Sequence, residues 1–153
     1  MKKLRITLAM ILLVMSVGFP VSANNHSDTS FEFSLPDWQY VTIYTPGRYK
    51  SDTSSSYVYF YDTTDYWLQA YGVHFSIWGG ESSQTWIENC TSPGGYGAPI
   101  IYPDQKRLIR QNVCEWGYDY AFIAASAPTP GAAGACPAGL WSPDSVGSYP
   151  YAN

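Results

Sequence analysis

The sequence predicts an all-β protein, an antiparallel β-sandwich or Greek-key barrel of about seven or eight strands. Three observations carry this. Short runs of alternating or aromatic residues recur along the chain, and clusters of Pro, Gly, Asp and Ser separate them. Beyond the N-terminal apolar run, no window of ten or more residues shows a capped helical repeat. About 25 aromatic side chains follow residue 23, the supply that cross-strand ladders and a sandwich core consume.

The first element is not a strand. Lys2, Lys3 and Arg5 precede an apolar run from Ile6 to Phe19, and Pro20-Val21-Ser22-Ala23 closes it with small residues. This is the layout of a secretory signal peptide over residues 1–23. The run falls short of the roughly 20 residues that span a bilayer, and no second such run follows. Cleavage after Ala23 gives a mature chain that is secreted, extracellular and free of the membrane, with a flexible leader at 24–30.

The β-domain is expected over 31–125. Phe31-Glu32-Phe33-Ser34-Leu35 alternates with period two, and Pro36-Asp37 ends it. Trp38 to Tyr44 is aromatic and β-branched up to Thr45-Pro46-Gly47. Tyr57 to Tyr61 is bounded by serines and by Asp62-Thr63-Thr64-Asp65. Tyr66 to Trp78 reads as the longest strand, with Trp67, Tyr71, Val73, Phe75 and Ile77 on one face. Gly79-Gly80 reads as a tight turn into Thr85–Cys90. Ser92 to Gly97 is a loop. Leu108–Glu115 and Tyr118–Ala124 read as two strands about Trp116-Gly117, with Leu108–Asn112 the one place that suits a helical turn. Residues 126–138 are a Pro/Gly/Ala-rich connection, and 139–153 form an ordered segment docking on the domain through Trp141.

Charge narrows the partners. The mature chain keeps five Lys and Arg against twelve Asp and Glu, a formal charge of about −7. Nucleic acid needs clustered cations, and anionic membranes favour them, so both are disfavoured. Lys106-Arg107-x-x-Arg110 is the one cationic cluster and reads as a solvated strand edge or turn. Cys90, Cys114 and Cys136 allow one disulfide in an oxidising compartment, with three pairings open. The remaining thiol is then either buried and inert or available to link two chains into a dimer.

The leader Asn24-Asn25, the Phe31-x-Phe33-x-Leu35 strand, Arg48-Tyr49-Lys50 and Gly139-Leu140-Trp141-Ser142-Pro143-Asp144-Ser145 resemble a family of small exported proteins of uncharacterised function from Gram-positive bacteria. The Trp-Ser-Pro-Asp-Ser stretch is the most specific part. The resemblance implies secretion, one β-rich domain and a bacterial source, and it transfers no catalytic or binding residue. The three cysteines and the insertion from Pro128 to Ala135 depart from that pattern.

No catalytic constellation stands out. His26 lies in the leader and His74 sits mid-strand, with no thiol at a spacing that recommends a Cys-His pair. Glu81 and Glu88 near a turn read as solvated acids rather than a glycosidase pair. Asp62-x-x-Asp65 falls short of a calcium loop. Neither metal, cofactor nor enzymatic activity is expected. The reading is a binding or interaction module at the cell envelope or outside the cell. Aromatic rings off the core face would stack on cell-wall or extracellular polysaccharide, or on an envelope protein: Tyr57, Tyr59, Tyr61, Tyr66, Trp78, Trp86 and Tyr96. The alternatives are a toxin-like or bacteriocin-like protein acting on a neighbouring cell, and a passive structural protein of the envelope.

Overall fold

The computed structural model describes residues 26–36, 42–82, 86–92, 98–129 and 134–153. The expected signal peptide, residues 38–41 of the predicted second strand, Thr85, Tyr96 and parts of the two predicted loops lie outside these residues. Ten strands are present among the described residues: β1 (Thr29–Glu32), β2 (Ile43–Tyr44), β3 (Arg48–Tyr49), β4 (Ser56–Phe60), β5 (Val73–Gly80), β6 (Ile87–Asn89), β7 (Ile100–Ile101), β8 (Gln105–Ile109), β9 (Tyr120–Ser126) and β10 (Ala138–Ser142). One short helix, α1 (Tyr66–Tyr71), separates β4 from β5. The strand count exceeds the expected seven or eight because β2, β3 and β7 are two-residue pieces.

The strands form two antiparallel sheets that make a sandwich. One runs β1-β10-β4-β8; the other runs β2-β9-β5-β6, with β3 also on β9 and β7 also on β5. The longest pairing, β5 with β9, matches His74–Gly80 against Ser126–Tyr120. Its inward side chains are Val73, Phe75 and Ile77 on β5, and Ala121, Ile123 and Ala125 on β9. The small alanines leave room for large rings from the opposite sheet. Phe31 and Phe60 of that sheet stand edge-on to Phe75, with ring centroids 5.5 and 5.6 Å away. Edge-to-face contact suits rings that are negative on the face and positive at the rim.

The alternation at Phe31, Phe33 and Leu35 holds, with all three buried. Their pairing extends past β1, since Phe33 N–H donates to the Pro137 carbonyl and Leu35 N–H to the Ala135 carbonyl. The partner is the chain leading into β10. The terminal segment therefore does more than dock: β10 is an interior strand between β1 and β4. Gly139 permits that placement. A Cβ there would fall 2.1 Å from the Tyr59 carbonyl oxygen and 2.6 Å from the Phe31 ring.

Three local readings need correction. Residues 66–71 are a helix, not the start of a strand. The Asp65 carboxylate accepts from Trp67 N–H and Leu68 N–H at 2.9 and 3.0 Å, capping the first turn. Gly72, at φ 66°, ends it. Only Leu68 is buried on α1, so Trp67 and Tyr71 face outward instead of into the core. Secondly, Gly79-Gly80 lies within β5, opposite Glu88 and Ile87. A Cβ on Gly80 would meet the Trp86 carbonyl oxygen at 2.3 Å, so close strand approach, not a turn, requires glycine. Thirdly, the strand from Leu108 stops at Ile109, and turns from Asn112 to Tyr118 replace its continuation.

No disulfide joins the cysteines: Cys90 is buried, Cys114 half-buried and Cys136 exposed. The expected bridge is absent from the fold. Lys106, Arg107 and Arg110 do lie on or beside an outer strand, β8. There the chain end pairs in parallel, with Leu108 N–H donating to the Pro150 carbonyl and Ala152 N–H to the Leu108 carbonyl. No described helix is long and apolar enough to cross a membrane.

Candidate functional site

The seven aromatic candidates do not form one surface. Tyr57, Tyr59 and Tyr61 occupy the outer face of the four-stranded sheet. Tyr57 is buried there beneath Tyr149, whose ring lies 4.9 Å away. Burial and the nearby Tyr149 raise its hydroxyl pKa to about 12. Tyr59 carries the Lys106 ammonium 4.8 Å above its ring and bonds to Asp104. Tyr61 packs edge-on against Tyr59. Tyr66 belongs to α1, 70% exposed, beside a stacked Trp67–Tyr71 pair. Trp78 lies on the outer face of the six-stranded sheet. Its indole N–H bonds to Ser76 Oγ and its ring packs on Tyr44. Tyr96 lies outside the described residues.

Trp86 stands apart. At 71% exposed, it borders a cleft of about 510 Å³ where the end of β5 meets the start of β9. Gly80, Glu81 and Ser82 form one wall, and Gly117, Tyr118, Asp119 and Tyr120 the other. Gly80 lets the Trp86 backbone approach β5 closely, as described above, and so sets Trp86 at the cleft edge. Tyr118 anchors its wall, its hydroxyl donating to Glu88 Oε2 at 2.8 Å. The bond to Glu88, then burial, raises the Tyr118 pKa. Tyr120 is braced by Tyr49, with centroids 5.9 Å apart. Glu81 and Asp119 are exposed at the rim.

This arrangement can stack a flat apolar face against an indole while carboxylate oxygens accept hydroxyl hydrogens. Glu88, half of the imagined glycosidase pair, is already engaged by Tyr118. Among the described residues, no group of three or more His, Cys, Asp and Glu is placed to hold a metal. The Asp62 and Asp65 oxygens accept local bonds from Thr63, Gln69, Trp67 and Leu68. His74 places Nδ1 2.6 Å from the Ala98 carbonyl oxygen, a structural bond. Pattern reading found Trp86 but missed Tyr118, Tyr120 and Asp119, which it assigned to a strand. Their signal is the Gly117-Tyr118-Asp119-Tyr120 run, in which a polar turn and two rings enter a strand together.

A second constellation joins the two motifs that sequence reading singled out. Lys50, after β3, is 1% exposed, and Asp144, after β10, is 0% exposed. Lys50 Nζ donates to Asp144 Oδ1 at 2.9 Å, to the Pro143 carbonyl at 2.8 Å and to the Ser54 carbonyl at 2.7 Å. Asp144 Oδ2 accepts from Ser51 N–H and Ser51 Oγ–H at 3.1 and 2.8 Å. Burial alone would raise the Asp144 pKa. The Lys50 and Ser51 donors outweigh it and hold the carboxyl at about 2. Arg48 completes the junction, donating to the Trp141 carbonyl and lying 5.6 Å over its ring.

No curated protein and no solved structure matches the chain. One family model does, across residues 19–145, a span that contains β1 to β10, the Trp86 cleft and both halves of the Lys50–Asp144 junction. The chain therefore belongs to DUF2712, a family of proteins of unknown function.

Proposed function

We propose that this is an exported, non-enzymatic binding module that recognises carbohydrate in the cell wall or outside the cell, in a Gram-positive bacterium. The charged start, apolar run and small-residue end of residues 1–23 support export. The mature charge of about −7 favours neutral over anionic glycans. The observation that carries the reading is Trp86, an indole left exposed over a cleft with two tyrosines and two rim carboxylates. Trp86, Tyr118 and Tyr120 gather at this one cleft, and clustered aromatic rings of this kind mark binding surfaces.

The test is co-sedimentation of residues 24–153 with insoluble cell-wall and polysaccharide preparations. Wild type sediments with at least one of them, and Trp86→Ala stays in solution with its fold intact. Absence of wild-type binding to every preparation overturns the proposal.

A further inference from the structure

We propose that Lys50 and Asp144 condense into a side-chain amide within the folded protein, covalently tying the chain after β3 to the chain after β10. The inference is independent of glycan binding. It rests on how the junction is built. The amine nitrogen and a carboxylate oxygen are 2.9 Å apart, and both side chains are excluded from solvent. The Ser54 and Pro143 carbonyls fix the nitrogen from two further directions, so the pair is held in one geometry. Well-oriented intramolecular partners reach effective concentrations of about 10⁵–10⁸ M, and this junction holds its two groups side by side. The second carboxylate oxygen faces the Ser51 N–H and hydroxyl, two donors placed as an oxyanion site. A further carboxylate, Asp52, lies 3.9 Å from Nζ and is partly open to solvent.

The step balances without a co-reactant. A proton moves along the hydrogen bond from Nζ to Oδ1, converting the ion pair into an amine and an acid, with burial assisting the transfer against the Lys50 and Ser51 donors that hold the carboxyl ionised. The Nζ lone pair attacks Asp144 Cγ, forming the C–N bond and placing negative charge on Oδ2 against Ser51. Asp52 accepts a second proton from Nζ and delivers it to the departing Oδ1 hydroxyl. The C–Oδ1 bond breaks, water leaves, and nothing is oxidised or reduced. The product removes two buried charges while retaining a carbonyl for Ser51, which lowers the desolvation cost that a buried ion pair carries.

The test is mass spectrometry on natively purified, then denatured and reduced protein. The mass falls about 18 Da below the sequence value, as loss of one water requires. Trypsin leaves the bond after Lys50 intact, and the peptide beginning at Tyr49 is recovered joined to the peptide beginning at Gln111. Lys50→Arg restores the full mass. A full-mass wild-type protein cleaved after Lys50 overturns the proposal. So does an 18 Da loss with Lys50 still cleavable, which would mark a local Asp144-Ser145 dehydration.

Discussion

Replacing Lys50 by Met removes the cation from a site where Asp144 is 0% exposed. The carboxylate keeps its Ser51 donors but loses the ammonium, and the Ser54 and Pro143 carbonyls each lose a donor. Breaking one side of a buried pair costs about 3–5 kcal/mol. If the amide has formed, its loss adds a loop-closure contribution for partners 94 residues apart, about 3–5 kcal/mol in the chain-entropy picture. The sum approaches the roughly 5–15 kcal/mol total stability of a domain, so Lys50→Met is expected to be barely folded at 25 °C. The double variant Lys50→Met/Asp144→Leu removes the stranded charge. It regains about 3–5 kcal/mol and remains below wild type by the loop-closure amount. Urea denaturation followed by tryptophan fluorescence measures both, with roughly 3–5 °C of Tm per kcal/mol as a second readout. A single variant within about 1 kcal/mol of wild type would refute the reasoning, because no fully buried unpaired carboxylate is that cheap.

Two further outcomes follow from the packing. Cys90 is buried, and burial raises its thiol to about 12, so about one molecule in 10⁴ carries a thiolate there at pH 8. Iodoacetamide at pH 8 should modify the exposed Cys136 within minutes and reach Cys90 only after urea unfolds the chain; equal native rates at the two sites would contradict that burial. Asp65→Ala removes the cap from α1 and should lower stability by about 0.5–2 kcal/mol, measured by urea denaturation, while Asp65→Asn retains most of it. Equal losses in the two variants would mean that the cap bonds are not what holds the helix.

The legible parts of the fold were those where one residue in two is apolar. Phe31, Phe33 and Leu35 and the Val58–Phe60 pair declare their inward faces in a few residues of sequence. The helix was hidden because its aromatic residues also suit strands, even though Asp65 and Gly72 bracket it with a cap and a stop. Gly79-Gly80 misled because glycine serves tight turns and close strand approach equally well, and only the neighbouring Trp86 carbonyl distinguishes them. Trp86 is legible as a candidate, whereas its partners come from the turn into β9 and its first residue, and no local pattern announces that β9 lies beside β5. The same holds for Lys50 and Asp144. Each lies in a stretch that drew notice separately, yet their meeting depends on β10 threading between β1 and β4. Tyr57 suits a ligand contact by pattern, but Tyr149 covers it because the chain end folds back along β8.

The most direct test of glycan recognition at the Trp86 cleft is a fluorescence titration of residues 24–153 with solubilised cell-wall polysaccharide, in three proteins. Wild type and Trp67→Ala should show the same saturable change, and Trp86→Ala should show none. A response retained in Trp86→Ala but lost in Trp67→Ala would move recognition to helix α1 and contradict the account; no response in any of the three would remove its basis altogether.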